Sequence, residues 1–545
     1  MYPEGTETRN TIEGISRTDL YKISQGKREL KEYVIAHDLG TSGNKATLFD
    51  SEGRLCASSF SGYQTMYPYP GWAEQNQADW WGAVKSSTLD LLHKFTEAKK
   101  NIVAISFSGT MMCCSPVDAQ GDPLYNAIIW SDQRAFKQRE RLSKEIGDEV
   151  AYRVTGTVFI ANYLAAKVLW LQDNYPEIYK KTHKFLMPKD FIAYHLTGEF
   201  VTDYSDASGT NLFDIQKKEW SQEIIARINI DAGKLPTTIP STKIVGKLKK
   251  SAADELGLPD GIPVVIGGGD GPCATVGAGA SKPGDCYNIY GTSSWTSVTT
   301  DTPLYDRLQR TFIICHLDEN LYMGVGTMQS AGGSFEWLNG WIGGVENLFG
   351  GAIDVSSYEM LSLEAEKSVP GCNGVIFLPY LMGERSPYWD SEVKGAFLGL
   401  TRVAGRSQII RSVLEGTVYH LKLILDILEE NGSEVSEVRL IGGGGKNRFL
   451  RKLMADIWGK PIVEMHYMEE ATSLGAAIAG FVGVGVRKSI LEAESMIQKK
   501  SVIHPEEKNT EIYSRYYEVF KEVYLALKPI HYKLDRLIKQ SPTDQ

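Results

Sequence analysis

The sequence lacks the features that mark a secreted or membrane-spanning protein. Its seven cysteines are odd in number and form no Cys-x-x-Cys pair, which predicts buried free thiols in a reducing compartment. The most apolar stretch, Leu474 to Val486, is too short to span a bilayer, and its glycine and alanine content predicts a closely packed buried helix. Residues 1–31 contain no apolar segment like that of a signal peptide. We therefore expect a cytoplasmic protein with no membrane partner.

An excess of positive charge is also lacking, because 58 lysines and arginines face 67 aspartates and glutamates and give a net charge of -9. Non-specific nucleic-acid binding needs a basic face, so no nucleic-acid partner is expected. Several common sites are missing as well: the Gly-x-x-x-x-Gly-Lys-Ser/Thr loop, the Gly-x-Gly-x-x-Gly fingerprint, His-Glu-x-x-His and Gly-x-Ser-x-Gly. Phosphate binding by another geometry stays open.

With 545 residues, the chain is too long for one hydrophobic core, and its alternating strands and helices predict an α/β protein of two large domains. We expect a polar extension over residues 1–31, a first lobe over 32–279 and a second lobe over 280–545. A β-meander is predicted from Tyr33 onward. Helices are predicted over about 80–94, 406–431 and 508–538, and buried strands over 102–107, 262–266 and 437–441.

Two similar turns open the two lobes. The apolar strand ending at Asp38 runs into Gly40-Thr41-Ser42-Gly43, and about 250 residues later another strand runs into Gly291-Thr292-Ser293. Glycine lets a ligand approach the backbone, and free amides with hydroxyl groups form an anion cradle. One such turn means little. Two of them, each after a strand, predict two related lobes that grip one polyphosphate.

Asp38 is the first acidic candidate, because it ends a buried strand beside the first turn. A carboxylate there would repel phosphate unless a cation lay between them, and a magnesium ion bound through water or one carboxylate resolves that conflict. Lys45, past the turn, could reach the phosphates from the next strand. The alternative is an ordinary hairpin in which Asp38 caps the turn and Lys45 is solvated.

Asp270 is the second acidic candidate, since it follows three glycines at the end of a very apolar strand. A sugar hydroxyl is a weak nucleophile, so phosphoryl transfer benefits from a carboxylate that accepts its proton. The alternative is a simple turn after a strand.

The segment from Trp130 to Arg134 combines an aromatic face with a carboxylate, Asp132, and a guanidinium. This combination suits a polyol whose hydroxyls bridge the charges while its carbons lie on the indole. The alternative is a helix start capped by Ser131 or Asp132 with Arg134 solvated.

Three further segments, in this order, make the chain resemble the FGGY family of carbohydrate kinases over about residues 33–530. Asn162 to Leu171 is similar to the family's first signature, with Leu164 where a small hydroxylated residue or proline is usual. Pro379 to Pro387, with Gly383-Glu384-Arg385, resembles a loop of xylulokinases. Gly395 to Leu400, together with Gln408 to Gly416, is similar to the second signature.

The resemblance implies two ribonuclease-H-like lobes of the actin-like ATPase type with a deep cleft, in which ATP binds mainly to the second lobe and sugar mainly to the first. It implies Asp270 as general base and Asp38 as the residue that organises magnesium. The nucleotide-contacting residues that it implies are Thr41, Ser42, Lys45, Gly291, Thr292, Gly332, Glu336, Gly443, Gly444, Gly445 and Asn447.

The sugar end is less regular. Xylulokinases usually have Gln-Met-His-Gly after the Ser-Gly that ends the strand, whereas this chain has Thr110-Met111-Met112-Cys113. Thr110 and Met112 thus replace two hydrogen-bonding residues, and such a loss can change selectivity strongly. Trp130, Asp132 and Arg134 keep the pentulose-kinase pattern. The predicted sugar contacts are Thr110, Met111, Met112, Trp130, Asp132, Arg134 and the base Asp270.

The function predicted from the sequence is an ATP- and magnesium-dependent kinase for a terminal hydroxyl of a pentulose, first of all D-xylulose. Another ketose such as L-xylulose or ribulose, or a polyol such as erythritol, stays open as the substrate. A nucleotide-gated protein like the chaperone and actin branches, and an inactive sugar sensor, are the alternatives of another class. The oligomeric state also stays open, with a homodimer among the alternatives.

Overall fold

The computed structural model describes residues 31–353 and 355–540. The predicted extension therefore lies outside the described residues except for Lys31, whose ammonium is 3.1 Å from the carboxylate of Asp50. All seven cysteines are free thiols, and all but Cys56 are buried. Among the helices of the described ranges, none is long and apolar enough to cross a membrane.

Short strands and helices alternate through the first half of the chain. The strands are β1 (Tyr33–Leu39), β2 (Gly43–Asp50), β3 (Leu55–Gly62), β4 (Glu74–Gln75), β5 (Ile102–Gly109), β6 (Ser115–Val117), β7 (Ala127–Ile128), β8 (Lys184–Leu186), β9 (Val201–Asp203), β10 (Phe213–Asp214), β11 (Glu219–Trp220), β12 (Thr237–Ile239), β13 (Ile244–Lys247), β14 (Pro263–Val265) and β15 (Gly268–Gly269). The helices are α1 (Gln77–Lys94), α2 (Phe136–Glu145), α3 (Asp148–Thr155), α4 (Leu164–Asn174), α5 (Pro176–Lys181), α6 (Pro188–Thr197), α7 (Tyr204–Ser208), α8 (Gln222–Ile228), α9 (Lys250–Leu256) and α10 (Asp270–Gly277).

The second half of the chain has longer helices. Its strands are β16 (Cys286–Tyr290), β17 (Ser294–Thr300), β18 (Phe312–Cys315), β19 (Tyr322–Met328), β20 (Ile376–Leu378), β21 (Ala396–Leu398), β22 (Val438–Ile441), β23 (Ile462–Met465) and β24 (Lys499–Ile503). Its helices are α11 (Gly332–Ile342), α12 (Gly344–Ile353), α13 (Ser357–Glu366), α14 (Arg406–Glu430), α15 (Arg448–Trp458), α16 (Ala471–Gly483) and α17 (Glu507–Gln540).

Each half is built on a mixed sheet, and the two sheets repeat one pattern. In the first, β1 pairs antiparallel with β2 and parallel with β5, within the order β13-β14-β5-β1-β2-β3. In the second, β16 pairs antiparallel with β17 and parallel with β22, within the order β18-β19-β17-β16-β22-β23-β24. Each sheet therefore has a hairpin beside a parallel strand, and each predicted phosphate turn is the bend of that hairpin.

The predicted elements agree closely with the structure. The meander is β1, β2 and β3, and the helix predicted from residue 80 begins at Gln77, where the Asn76 side chain accepts the backbone N–H of Ala78 at 2.9 Å. The long helices α14 and α17 lie where the sequence predicts them. The division of the chain at residues 279 and 280 stays a prediction, since the connection between α10 and β16 spans it.

Helix α16 belongs to the second half of the sequence but packs against α10 and the first sheet. Glycine makes this approach possible. A Cβ built at Gly475 would lie 1.9 Å from the carbonyl oxygen of Cys273, and one built at Gly480 would lie 2.8 Å from Cγ1 of Val34. The buried helix predicted near Leu474 to Val486 is therefore present, and its small residues let it pack between the two lobes.

We expect Gly475→Ala to lower the free energy of unfolding by about 1–3 kcal/mol, the usual cost of overpacking a core, because α16 must move away from α10. Thermal and urea unfolding measure this. The matched control is Gly340→Ala in α11, where a Cβ would meet no atom within 4 Å. That variant should keep or slightly raise its midpoint, since alanine favours a helix over glycine by about 1 kcal/mol. Equal stability of the two variants would contradict the close-packing argument.

Candidate active site

A cavity of about 390 Å³ opens between the two lobes where β1 and β16 end. Side chains and turns from both halves of the chain line it. The predicted site residues in its lining are Asp38, Thr41, Thr110, Met111, Met112, Trp130, Asp270, Gly291 and Thr292. The structure thus brings the two phosphate turns, the predicted base and the predicted sugar loop to one place.

The first turn is held by contacts from its own lobe. The carbonyl of Thr41 accepts the Gln75 amide at 2.7 Å, and its hydroxyl accepts the Trp130 indole N–H at 2.9 Å. Ser42 is exposed at the tip of the turn. Lys45 lies opposite Asp38 across the hairpin, and its ammonium donates to the carbonyl of Glu469 in the second lobe at 3.2 Å. Lys45 therefore connects the two lobes beside the turn.

The two predicted acids share the cavity and influence each other. Asp38 is at the end of β1, where burial raises the pKa of its carboxyl group and the charge of Lys45 opposes that rise. Asp270 begins α10, and its Oδ1 accepts the backbone N–H of Gly271 at 2.8 Å. Burial, together with the negative charge of Asp38, raises the pKa of Asp270 to about 7. A carboxylate with such a pKa is suited to accept a proton near neutral pH.

The second turn is supported by the first turn of α11. The N–H of Gly332 donates to the carbonyl of Gly291 at 2.9 Å, and the N–H of Gly333 donates to that of Thr292 at 2.9 Å. A Cβ at Gly332 would lie 2.5 Å from the Gly291 oxygen, so only glycine fits this contact. Glu336, one helical turn later, is exposed.

The glycine-rich segment after β22 packs beside the second turn. A Cβ at Gly444 would lie 2.4 Å from Cδ1 of Tyr290, the residue just before Gly291, whereas at Gly443 the nearest atom is 3.8 Å away. Gly445 is buried against Met468. Asn447 then caps α15 by accepting the backbone N–H of Leu450 at 3.1 Å. Gly443, Gly444, Gly445 and Asn447, which are predicted to contact the nucleotide, therefore extend the wall that Gly291 begins, outside the lining of the central cavity.

Trp130 lines the cavity, whereas Asp132 and Arg134 lie behind it. Their side chains are both 0% exposed, and Nη2 of Arg134 is 2.7 Å from Oδ2 of Asp132. The guanidinium also pairs with Glu74 at 2.8 Å and stacks 3.7 Å from the ring centre of Trp72. Helix α2 begins only at Phe136, so the segment is no helix start. Sugar binding by Asp132 and Arg134 stays a prediction, and in this geometry the pair supports the Trp130 segment.

The loop from Thr110 to Cys113 is fixed by a buried lysine. Met112 has φ 64°, and its carbonyl accepts the Lys167 ammonium at 2.7 Å. The same ammonium donates to the carbonyls of Ile129, at 2.7 Å, and Ile128, at 3.3 Å. Burial lowers the pKa of Lys167 to about 8. Lys167 belongs to the segment that resembles the first signature, and it joins the sugar loop to the strand before Trp130.

Sequence reasoning missed several residues of the cavity. Asn162 donates to the carbonyl of Trp130 at 2.7 Å, and Tyr163 follows it in the lining. Arg385 reaches the cavity from the second lobe. Trp295 covers the start of α10 so closely that a Cβ at Gly271 would lie 1.6 Å from its Cη2. Asn162, Tyr163 and Arg385 belong to the segments that resemble family motifs, and their polar side chains are the signal by which the sequence could identify them.

Comparison with known proteins agrees with this geometry. Residues 33–277 match the N-terminal domain of the FGGY family of carbohydrate kinases, and residues 286–484 match its C-terminal domain. The chain belongs to the FGGY family of carbohydrate kinases. It is 31% identical over 502 residues to a xylulose kinase of Bacillus subtilis, which covers 92% of this chain and 98% of that protein.

Two solved structures from Lactobacillus acidophilus are similar throughout. A ligand-bound xylulose kinase has a TM-score of 0.85 at 28% identity, and a gluconate kinase has a TM-score of 0.85 at 27% identity. Each match covers 92% of this chain and 100% of the other protein's chain. The predicted two-lobed, actin-like ATPase fold is confirmed. This FGGY protein is therefore a phosphotransferase that uses ATP to phosphorylate a sugar, which replaces the chaperone-like and sensor alternatives.

Proposed function

We propose that this FGGY kinase phosphorylates a terminal hydroxyl of a pentulose, with D-xylulose as the first candidate and D-xylulose 5-phosphate as its product. The observation that carries the proposal is the position of Asp270. Its carboxyl group lines the same cavity as the two predicted phosphate turns and the loop from Thr110 to Cys113. Its pKa of about 7 is suited to accepting a proton near neutral pH. The similarity to xylulose kinases supports the pentulose.

In this mechanism the substrate hydroxyl oxygen attacks the γ-phosphorus of ATP while its proton passes to the carboxylate of Asp270. The bond between the γ-phosphorus and the bridging oxygen breaks, and ADP leaves with that electron pair. The amides and hydroxyls of the two turns face the phosphate side, where preorganised donors stabilise the charge that develops. Trp130, Met111 and Trp295 also line the cavity, where their apolar surface excludes water.

The residues present also fit magnesium. Within the described ranges, no group of three or more His, Cys, Asp or Glu side chains could hold a metal ion alone. Asp38, however, places one carboxylate in the cavity beside the first turn, with Asp270 as its acidic neighbour. Magnesium is commonly bound by one or two carboxylates together with substrate phosphates and water, and it neutralises polyphosphate charge. We assign Asp38 as the protein residue that would hold it.

The apolar sugar loop bears on the choice of substrate. Thr110 is the single hydroxylated side chain between Gly109 and Cys113, and the Met111 and Met112 side chains offer no donor. Asn162 and Tyr163 supply polar groups nearby. This lining fits a compact neutral sugar, and a different ketose or a polyol would use the same groups.

One observation favours a second candidate, an aldonic acid such as gluconate. Arg385 lines the cavity near Tyr163, and its Nε donates to no partner within the described residues. Burial lowers the pKa of its guanidinium, with the neighbouring Glu384 carboxylate opposing that effect. A half-buried cation of this kind is suited to a carboxylate on the substrate. The similar gluconate kinase structure adds weight to this candidate.

A coupled ADP-release assay over D-xylulose, L-xylulose, ribulose, erythritol and gluconate separates these substrates. We expect the highest kcat/KM with D-xylulose. A higher kcat/KM with gluconate would replace the pentulose proposal by the second candidate. In that case Arg385→Gln should lower kcat/KM for gluconate by about ten- to a hundredfold, the worth of a charge-assisted hydrogen bond. Arg402→Gln, at an exposed position, is the matched control and should leave the preference unchanged.

A further inference from the structure

A buried ionic cluster lies behind the strand that leads to Asp270. The Lys189 ammonium is 2.6 Å from Oδ1 of Asp190, 2.8 Å from Oδ1 of Asp203 and 3.0 Å from Oδ2 of Asp206. All four side chains are 0% exposed. We name these four residues the Lys189 cluster. No member lines the cavity.

A chain of hydrogen bonds joins the cluster to the backbone before the base. Oδ2 of Asp203 accepts the hydroxyl of Ser205 at 2.5 Å and that of Ser241 at 2.7 Å. The hydroxyl oxygen of Ser205 in turn accepts the backbone N–H of Gly269 at 3.0 Å. Gly269 directly precedes Asp270 and is the N-cap residue of α10. Two hydrogen bonds thus connect Asp203 to the residue at which the helix that carries Asp270 begins.

The same region contacts the sugar loop. A Cβ at Gly269 would lie 2.6 Å from Sδ of Met111, and a Cβ at Gly109 would lie 3.1 Å from Cβ of Lys189. Gly209, at the end of α7, would place a Cβ 3.1 Å from Cε of Met111. The strand end before the base, the sugar loop and the cluster are therefore one packed unit.

The charges of the cluster do not balance if every group is ionised. One ammonium faces three carboxylates, and a buried charge without compensation is costly. Asp203 accepts hydrogen bonds from several donors, whereas within the described residues the Asp206 carboxyl group has one close donor, the Lys189 ammonium at 3.0 Å from its Oδ2. Burial raises the pKa of Asp206 well above its ordinary value, with the Asp203 and Asp190 charges adding to the rise and Lys189 opposing it.

We propose that the Lys189 cluster, with one proton retained on Asp206, is a positioning device for the catalytic base. Asp203 holds the Ser205 hydroxyl, Ser205 holds the Gly269 amide, and the carboxylate of Asp270 is thereby fixed in the cavity. Asp203, Ser205 and Gly269, the residues of this hydrogen-bond chain, are positioning residues, because none of them lines the cavity. The inference rests on the proposed role of Asp270.

Three variants of the full chain test the proposal. Ser205→Ala and Asp203→Asn should each lower kcat for sugar phosphorylation by about tenfold or more, since small displacements of a reacting group are costly, while KM for ATP stays within about twofold. Asp206→Asn replaces a neutral acid by a neutral group of equal size. It should keep kcat within about threefold and should unfold at nearly the wild-type temperature.

The matched control is Ser412→Ala, another buried serine, whose hydroxyl donates to Ile409 within α14 at 2.9 Å. It should keep wild-type kcat. A Ser205→Ala enzyme within twofold of wild-type kcat would overturn the positioning role, and an Asp206→Asn protein as impaired as Asp203→Asn would overturn the proton assignment. If Asp203→Asn fails to fold, Ser205→Ala still tests the positioning role and Asp206→Asn still tests the proton assignment. A wild-type protein without sugar turnover would instead overturn the proposed function.

Discussion

Asp270→Asn is expected to lower kcat for sugar phosphorylation by about a thousandfold, within the range that general-base catalysis contributes. The amide has the size of the carboxylate and can still accept the N–H of Gly271, so α10 should keep its start. It cannot accept a proton from the substrate hydroxyl. The dissociation constant for ATP, measured by fluorescence or calorimetry without sugar, should change by less than about twofold, because Asp270 belongs to neither of the two turns.

The pH dependence gives an independent check on the same residue. The pKa of Asp270 is raised to about 7, so the carboxylate that accepts the proton is lost as the pH falls through 7. The wild-type rate at saturating sugar should therefore fall below this pH, and the residual rate of Asp270→Asn should not show that step. Asp260→Asn, at an exposed position, should match the wild type in both rate and profile. Near-normal turnover of Asp270→Asn would falsify its assignment as the base.

The sequence predicts the positions of the two turns well, because each turn is a local feature of the backbone. The turns at Thr41 and Gly291 need only small residues after a strand, and such residues leave a clear local pattern. The pairing of β1 with β2, and of β16 with β17, then brings each turn to the edge of its sheet. Such turns can be recognised from the local sequence, because few distant residues affect their backbone conformation.

The sugar side is harder to predict because its geometry depends on distant partners. Arg134 is a residue type suited to binding a substrate. Its guanidinium, however, contacts Glu74 and Trp72, about 60 residues earlier, and lies behind the cavity. Arg385 reaches the same cavity from the other lobe. Local sequence does not record which charged group finds a buried partner and which one stays available for substrate.

The Lys189 cluster is also difficult to predict from the sequence, for the same reason. Each of its charged residues is unremarkable in sequence, and only tertiary packing buries all of them together behind Asp270. Gly475 is a comparable case, because its need for glycine comes from the carbonyl of Cys273 about 200 residues away. Positions of this kind are decided by packing across the chain.

Asp38→Asn should reverse the effect of magnesium on ATP binding. In the wild type, the Asp38 carboxylate repels a polyphosphate beside Thr41 unless magnesium lies between them. Removing its charge should tighten binding of metal-free ATP by about tenfold, the equivalent of about 1.4 kcal/mol, and should weaken binding of magnesium-ATP. Titrating ATP with magnesium and with a chelator, without sugar, measures both affinities.

The same substitution should act on Asp270 through charge. Because the Asp38 carboxylate raises the pKa of Asp270, its neutralisation lowers that pKa and moves the acid limb of the rate profile below pH 7. The rate itself should fall by about a hundredfold at any pH, since the charge of the transferred phosphoryl group is then less well compensated. Asp260→Asn serves again as the control of equal charge change. If Asp38→Asn binds ATP with the wild-type dependence on magnesium, Asp38 is no metal ligand, and its carboxylate serves only to tune Asp270.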